Sequence, residues 1–297
     1  MRRLLLCALL VGACVPADEA LSLGSVQFTF TASERTVDGL PSGQTRDQYS
    51  VTFDRVVLGF KTMTVGKIGA PDTCSYRGRG AVTDVVFDPR FGLVQTFNGI
   101  QPVDCPDVGV IFGAPENTTV PAEGTASNEL VALAEGGFHA LVDATATPPP
   151  RFGRALEPYK LELRFDPITT STRFGGCRAA TKGVRIIAGS RDSATVRFAA
   201  ENLFRETISN SGDIRVAPFA QADAQGNNDH VVTMAELDEL QLSTIIAGDF
   251  YQLPTEARAV GASVSSGTFG DFVRFLFRFT LQFRNEGLCI GNPPGGG

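Results

Sequence analysis

Oxygen-bearing side chains crowd one stretch of the chain, where Asp223, Gln225, Asn227, Asn228, Asp229, Thr233 and Glu236 fall within fourteen residues. Carboxylates and amides at near-alternate positions suit a hard cation, because calcium takes about six to eight oxygens at roughly 2.4 Å and tolerates irregular geometry. The candidate metal ligands are therefore Asp223, Asn227, Asp229 and Glu236, and calcium is the candidate cofactor. Three carboxylates this close repel one another, and a divalent cation relieves that repulsion. The inventory for covalent or acid–base chemistry is thinner. The chain has two histidines and lacks a G-x-S-x-G turn, a phosphate-binding glycine loop and an HExxH pair, so no catalytic residue is assigned. His139 alternates with Phe138 and Ala140 in a strand-like run and reads as a surface or internally satisfied histidine, while His230 lies in the polar stretch. A net charge of −6 with no dense run of Lys or Arg gives no electrostatic footprint for nucleic acid.

The stretch from Asp223 to Glu236 resembles the EF-hand calcium loop, in which an aliphatic residue precedes a bidentate Glu at the start of the exit helix. Its tail, Val232 to Glu236, follows the pattern. Its front departs from it: two extra residues stand around Asn227 and Asn228, and His230 occupies the place of a turn glycine. Three readings stay open: a bulged path that still gathers calcium, a loop that keeps only the shape, and a polar turn before a capped helix. Ordering the extra residues costs roughly 1 to 2 kcal/mol each, which places calcium affinity near the extracellular range of about 10⁻⁴ to 10⁻³ M.

The elements that must position this loop are mostly strands. Val26, Phe28 and Phe30 alternate with polar residues, as do Leu161, Leu163 and Phe165. Tyr49, Val51 and Phe53 alternate until the phase slips to Val56, Leu58 and Phe60, the mark of a β-bulge near Arg55. Shorter β-rich runs recur between Gly, Pro and Asp turns, and together they predict a mainly β protein, an antiparallel β-sandwich, one large or two smaller, with a short C-terminal helical elaboration. Thr233-Met-Ala-Glu236 is a capping box, and Phe269, Phe272, Val273 and Leu276 have helical spacing before Phe277 to Phe283 alternate as a strand. The expected organisation is a signal peptide over 1–13, a lipid-anchored linker over 14–24, a β-rich first half over 25–147, a Pro-rich loop or linker over 148–158, a β-rich second half over 159–290 and a disordered tail over 291–297.

The address is read from the first fourteen residues. Arg2 and Arg3 precede an apolar run from Leu4 to Ala13, too short to span about 30 Å of hydrocarbon but the right length for an export signal. Val11-Gly12-Ala13-Cys14 resembles the lipobox of bacterial lipoproteins, which implies acylation of Cys14, and Val15 after it implies sorting to the outer membrane. Ordinary cleavage after Val15-Pro16-Ala17 is the alternative and would give a soluble periplasmic or secreted protein. Cys7 falls in the signal, which leaves Cys74, Cys105, Cys177 and Cys289 for two disulfides; neighbourhood in the chain favours Cys74–Cys105 and Cys177–Cys289. The lipobox, the β-rich body, Ala199-Ala200-Glu201-Asn202-Leu203-Phe204, the EF-hand-like loop and Gly287-Leu288-Cys289 together resemble a group of Gram-negative envelope lipoproteins of unassigned function. That group is associated with His and Asp on the strand before the loop, where this chain carries Glu201-Asn202. The reading is a non-enzymatic binding or structural lipoprotein with an envelope protein or glycan as partner, against an envelope-anchored hydrolase of polysaccharide or peptide. Palmitate should label the wild type and not Cys14→Ser; an unmodified mature N-terminus at Asp18 by mass spectrometry would reject the anchor.

Overall fold

A computed structural model describes residues 23–65, 76–77, 85–100, 103–105, 108–177, 184–209, 211–246, 251–255, 267–284 and 287–292. The chain runs through β1 (Gly24–Ala32), α1 (Glu34–Asp38), β2 (Ser50–Val65), β3 (Tyr76–Arg77), β4 (Val85–Phe87), β5 (Leu93–Ile100), β6 (Val103–Cys105), β7 (Val108–Phe112) and β8 (Val120–Pro121). Next come α2 (Ser127–Gly136), β9 (Ala140–Thr147), β10 (Tyr159–Phe165), β11 (Arg173–Gly175), β12 (Val184–Ile186) and β13 (Arg191–Phe198). The last part holds α3 (Ala217–Gln225), β14 (Val231–Thr233), α4 (Met234–Glu239), α5 (Phe269–Leu276), β15 (Leu281–Phe283) and β16 (Gly287–Gly291). Among the described residues, no helix is long and apolar enough to cross a membrane.

The protein is mainly β, built on one curled sheet in the order β14-β10-β9-β2-β7-β11-β16-β15-β13-β1-β5, with β3, β4 and β8 branching from it. The sheet is mixed where the sequence suggested antiparallel pairing throughout. β1 runs parallel to β13 over eight paired residues, and β10 runs parallel to β14. Alternation of apolar residues is the same in either direction, so it specifies which face is buried and not which way a neighbour runs. The bulge does lie near Arg55: the β2–β9 register shifts between Phe53 and Arg55, leaving Asp54 outside that ladder and returning Val56 and Leu58 to the buried face. The triple proline Pro148 to Pro150 lies in the connection of the β9–β10 hairpin, whose strands pair from Tyr159–Ala146 to Phe165–Ala140.

Aromatic rings fill the inside of the curl. Phe277 is central, with ring centroids 4.7 Å from Phe165 and 6.0 Å from both Phe174 and Phe198, so the C-terminal helical segment plugs the sheet. The expected strand from Phe277 starts late: Phe277 to Phe279 form a 3-10 turn and β15 begins at Leu281. On the outer face, Leu133 of α2 packs on Val57, Val86 and Leu141, so β2 and β9 are apolar on both sides there.

β16 joins the two parts of the sheet, pairing with β15 over three residues and with β11 through only Phe174–Gly291 and Gly175–Ile290. A Cβ at Gly291 would stand 2.8 Å from Ser171 Cβ and 3.0 Å from Arg278 Cα, so this strand passes where only glycine fits. Asn292, read from sequence as part of the tail, donates its N–H to the Arg173 carbonyl at 2.8 Å and accepts from the Arg173 N–H at 2.9 Å. The Cys177–Cys289 disulfide, across 112 residues and fully buried, covalently reinforces the same junction. Replacing both cysteines by alanine should lower unfolding free energy by about 3 to 5 kcal/mol in urea denaturation; a loss below about 1 kcal/mol would show that the pairing of β16 stands without the bridge.

Candidate metal centre

The candidate ligands sit on a helix, loop, strand and helix mounted at one end of the sheet. α3 begins with Pro218 in its first turn, a position that needs no N–H donor, and its N-terminus is capped by Asp47 from afar. Asp47 Oδ2 accepts the N–H groups of Val216 and Ala217 at 2.6 and 2.5 Å. Asp223 therefore lies in the last turn of a helix, whereas the sequence placed it in a loop. After Gly226 the chain turns into β14, which docks on β10 with the Lys160 N–H donating to the His230 carbonyl at 2.8 Å. α4 starts at the capping box read from the sequence. Arg274 of α5 clamps it through Asp238, with Nη2 to Oδ2 at 2.7 Å.

This arrangement brings Asp223, Asp229 and Glu236 together: one carboxylate oxygen from each lies within 4.8 Å of the other two. Oxygens on opposite sides of a calcium ion are about 5 Å apart, so a single ion can touch all three. Asp223 is fully buried and Glu236 is 8% exposed, while Asp229 faces solvent. Each buried carboxylate has one oxygen satisfied and one not. Asp223 Oδ1 accepts the His230 N–H at 3.0 Å, while Oδ2 is buried with no donor. Glu236 Oε2 accepts the Thr233 N–H at 2.9 Å and the Thr233 hydroxyl at 3.1 Å, while Oε1 is buried with no donor. Among the described residues no arginine or lysine forms an ion pair with any of the three. A buried carboxylate oxygen without a donor is costly, and a cation is one partner that could satisfy those of Asp223 and Glu236. Gly226 leaves room for them, since a Cβ there would stand 2.8 Å from Glu236 Oε1.

Asn227, the fourth candidate, is bound to Asp229 at both ends of its amide: Nδ2 donates to Asp229 Oδ2 at 3.0 Å, and Oδ1 accepts the Asp229 N–H at 3.1 Å. Asn228 and His230 both take left-handed backbone conformations, with φ of 55° and 65°. These are the turns that a glycine would make, and Asn and His are among the side chains that tolerate them best. His230 is held by its ring, stacked on Tyr159 with centroids 4.8 Å apart. Burial, then the field of Asp223, raises the Tyr159 hydroxyl above its ordinary pKa. Sequence reasoning missed α3 and this stack; Pro218 followed by an alanine-rich run was the available signal for the helix. Cys14 and Cys74 lie outside the described residues, and with Cys74 the expected Cys74–Cys105 pairing.

No family model matches the chain, and no curated protein matches it. Among solved structures it has a likeness to MbnP from Methylosinus trichosporium, at 11% identity and a TM-score of 0.31 over 61% of this chain and 77% of that one.

His139, the other titratable candidate, is buried in the core beside Phe277, with ring centroids 5.3 Å apart and planes at 89°. Burial lowers its pKa from 6.5 to about 4, against the opposing pull of Asp166 and the Ser171 backbone. The unfolded chain then binds a proton that the native state refuses between pH 6.5 and 4, so stability is full above 6.5 and falls as pH drops to 4. Wild type should lose about 3 kcal/mol across that window beyond what His139→Leu loses, measured by urea unfolding against pH. Parallel pH curves for the two proteins would reject the assignment.

Proposed function

We propose that this is an exported, lipid-anchored protein of the bacterial outer membrane, with no enzymatic activity, in which the loop from Asp223 to Glu236 binds calcium weakly. The observation that carries the metal reading is that Asp223, Asp229 and Glu236 bring one carboxylate oxygen each within 4.8 Å of the others, while Asp223 Oδ2 and Glu236 Oε1 are buried and have no donor. All donors in the cluster are carboxylate oxygens, which favours a hard cation such as calcium over softer ions that prefer nitrogen and sulfur. The bridge between Cys177 and Cys289 accords with an oxidising compartment. The non-enzymatic reading draws on the two histidines: one is packed in the core and the other stacks on Tyr159 beside the acidic cluster. We read the curled sheet as a sandwich-like scaffold that presents loops to an envelope protein or glycan, with the calcium fixing α3 and α4 against β10.

A cation that binds only the folded chain stabilises it by mass action. With affinity in the range of about 10⁻⁴ to 10⁻³ M, 5 mM calcium should add about 1 to 2 kcal/mol and raise the melting temperature by a few degrees. Glu236→Gln should abolish that rise while keeping α4 capped, because glutamine serves at the same capping position. No calorimetric heat and no melting shift at several millimolar calcium would leave α4 as a capped helix and nothing more.

A further inference from the structure

We infer that the cluster does not discriminate calcium from magnesium, and that Thr233 is the residue responsible. The inference rests on the reading that Asp223, Asp229 and Glu236 hold a divalent cation. An EF-hand-type loop favours calcium because its final Glu offers both oxygens, a crowded contact that a large, flexible coordination shell accepts. Magnesium demands a near-ideal octahedron at about 2.1 Å and keeps several of its waters, so it favours carboxylates that offer one oxygen each.

Here the bidentate option is closed. Glu236 Oε2 already accepts two hydrogen bonds, from the Thr233 N–H at 2.9 Å and the Thr233 hydroxyl at 3.1 Å, and only Oε1 is free. Asp223 repeats the pattern: Oδ1 accepts the His230 N–H at 3.0 Å and Oδ2 is free. Asp229 has a donor on each oxygen, the Val231 N–H on Oδ1 at 2.8 Å and Asn227 Nδ2 on Oδ2 at 3.0 Å, which holds its carboxylate plane in place. Asp223 and Glu236 thus each present one oxygen that accepts no hydrogen bond, the two Asp229 oxygens each accept one, and the exposed side of the loop at Asp229 is open to water. Two unshared oxygens, one Asp229 oxygen using its remaining lone pair, and water at the open face complete an octahedron as readily as a larger shell. The capping box that starts α4 is therefore also the device that removes calcium selectivity.

The test is titration calorimetry of the full chain, stripped with EDTA, against calcium chloride and magnesium chloride separately, for wild type, Thr233→Ala and Thr233→Ser. Wild type should bind the two cations with dissociation constants within about tenfold of each other. Thr233→Ala removes one of the two bonds that hold Oε2 and should shift the ratio toward calcium by about threefold to fivefold, while Thr233→Ser should keep the wild-type ratio. A merely structural role for Thr233 would lower the melting temperature in EDTA and leave the ratio untouched. Calcium binding more than about a hundredfold tighter than magnesium in wild type, or an unchanged ratio in Thr233→Ala, overturns the inference and leaves the metal centre standing. The wild-type ratio decides alone if Thr233→Ala does not fold. Heat from neither cation removes the metal centre as well.

Discussion

The continuity of the sheet hangs on one short strand near the end of the chain. Among the described residues, β16 is the link in the strand order between the part built from β5, β1, β13 and β15 and the part that runs from β11 to β14. Two residue pairs with β11 are a weak ladder, since a strand needs neighbours on both sides and a buried face to hold its register. The chain compensates locally. The disulfide to Cys177, the Arg278 Nε–H donated to the Gly291 carbonyl at 2.8 Å, and the two bonds between Asn292 and Arg173 all fall within four residues of one another along β16. Continuity of the sheet among the described residues thus depends on residues near the end of the sequence, an arrangement of high contact order.

The same long-range logic places the acidic loop. β14 is the edge strand on the far side of β10, and α3 and α4 lean on it. α5 runs directly into the turn of Phe277 at the centre of the core, and through Arg274–Asp238 it fixes α4. Glu236 is consequently held in a frame that reaches the aromatic interior and, through β15 and β16, the disulfide. Within this frame Glu236 is buried, with one oxygen that has no donor.

Strands with one buried face were legible, as at β1, β10 and the bulged β2, because alternation reports burial directly. So were α4 and α5, whose capping boxes are local in sequence. What was not legible has distant causes. α3 is capped by Asp47, about 170 residues upstream, and α2 starts at Ala126 with no side-chain cap, its helix resting instead on the apolar outer face of β2 and β9. Parallel pairing of β1 with β13 leaves no trace in either strand alone. At the acidic cluster the residue types were readable, but their convergence, and the donors already committed to Asp223 Oδ1 and Glu236 Oε2, depended on α3 and β14 being where they are.

The loop also revises the reason for expecting weak cation affinity. Read from the sequence, the two extra residues and the absent glycine impose an ordering cost on binding. In the structure that cost is met before any ion arrives: the left-handed conformations at Asn228 and His230, about 1 to 2 kcal/mol each for side-chain-bearing residues, are held by the His230–Tyr159 stack and the His230 N–H bond to Asp223. Parallel pairing of β14 with β10 holds them as well. A loop already in shape loses little entropy on binding, so affinity on the proposed reading is limited by how few oxygens remain to offer. The hydrogen bonds that shape the loop are the ones that occupy Asp223 Oδ1 and Glu236 Oε2. Pre-organisation and coordination number are set against each other by the same atoms, and a chain that gained ligands here would have to give up part of the scaffold that aims them.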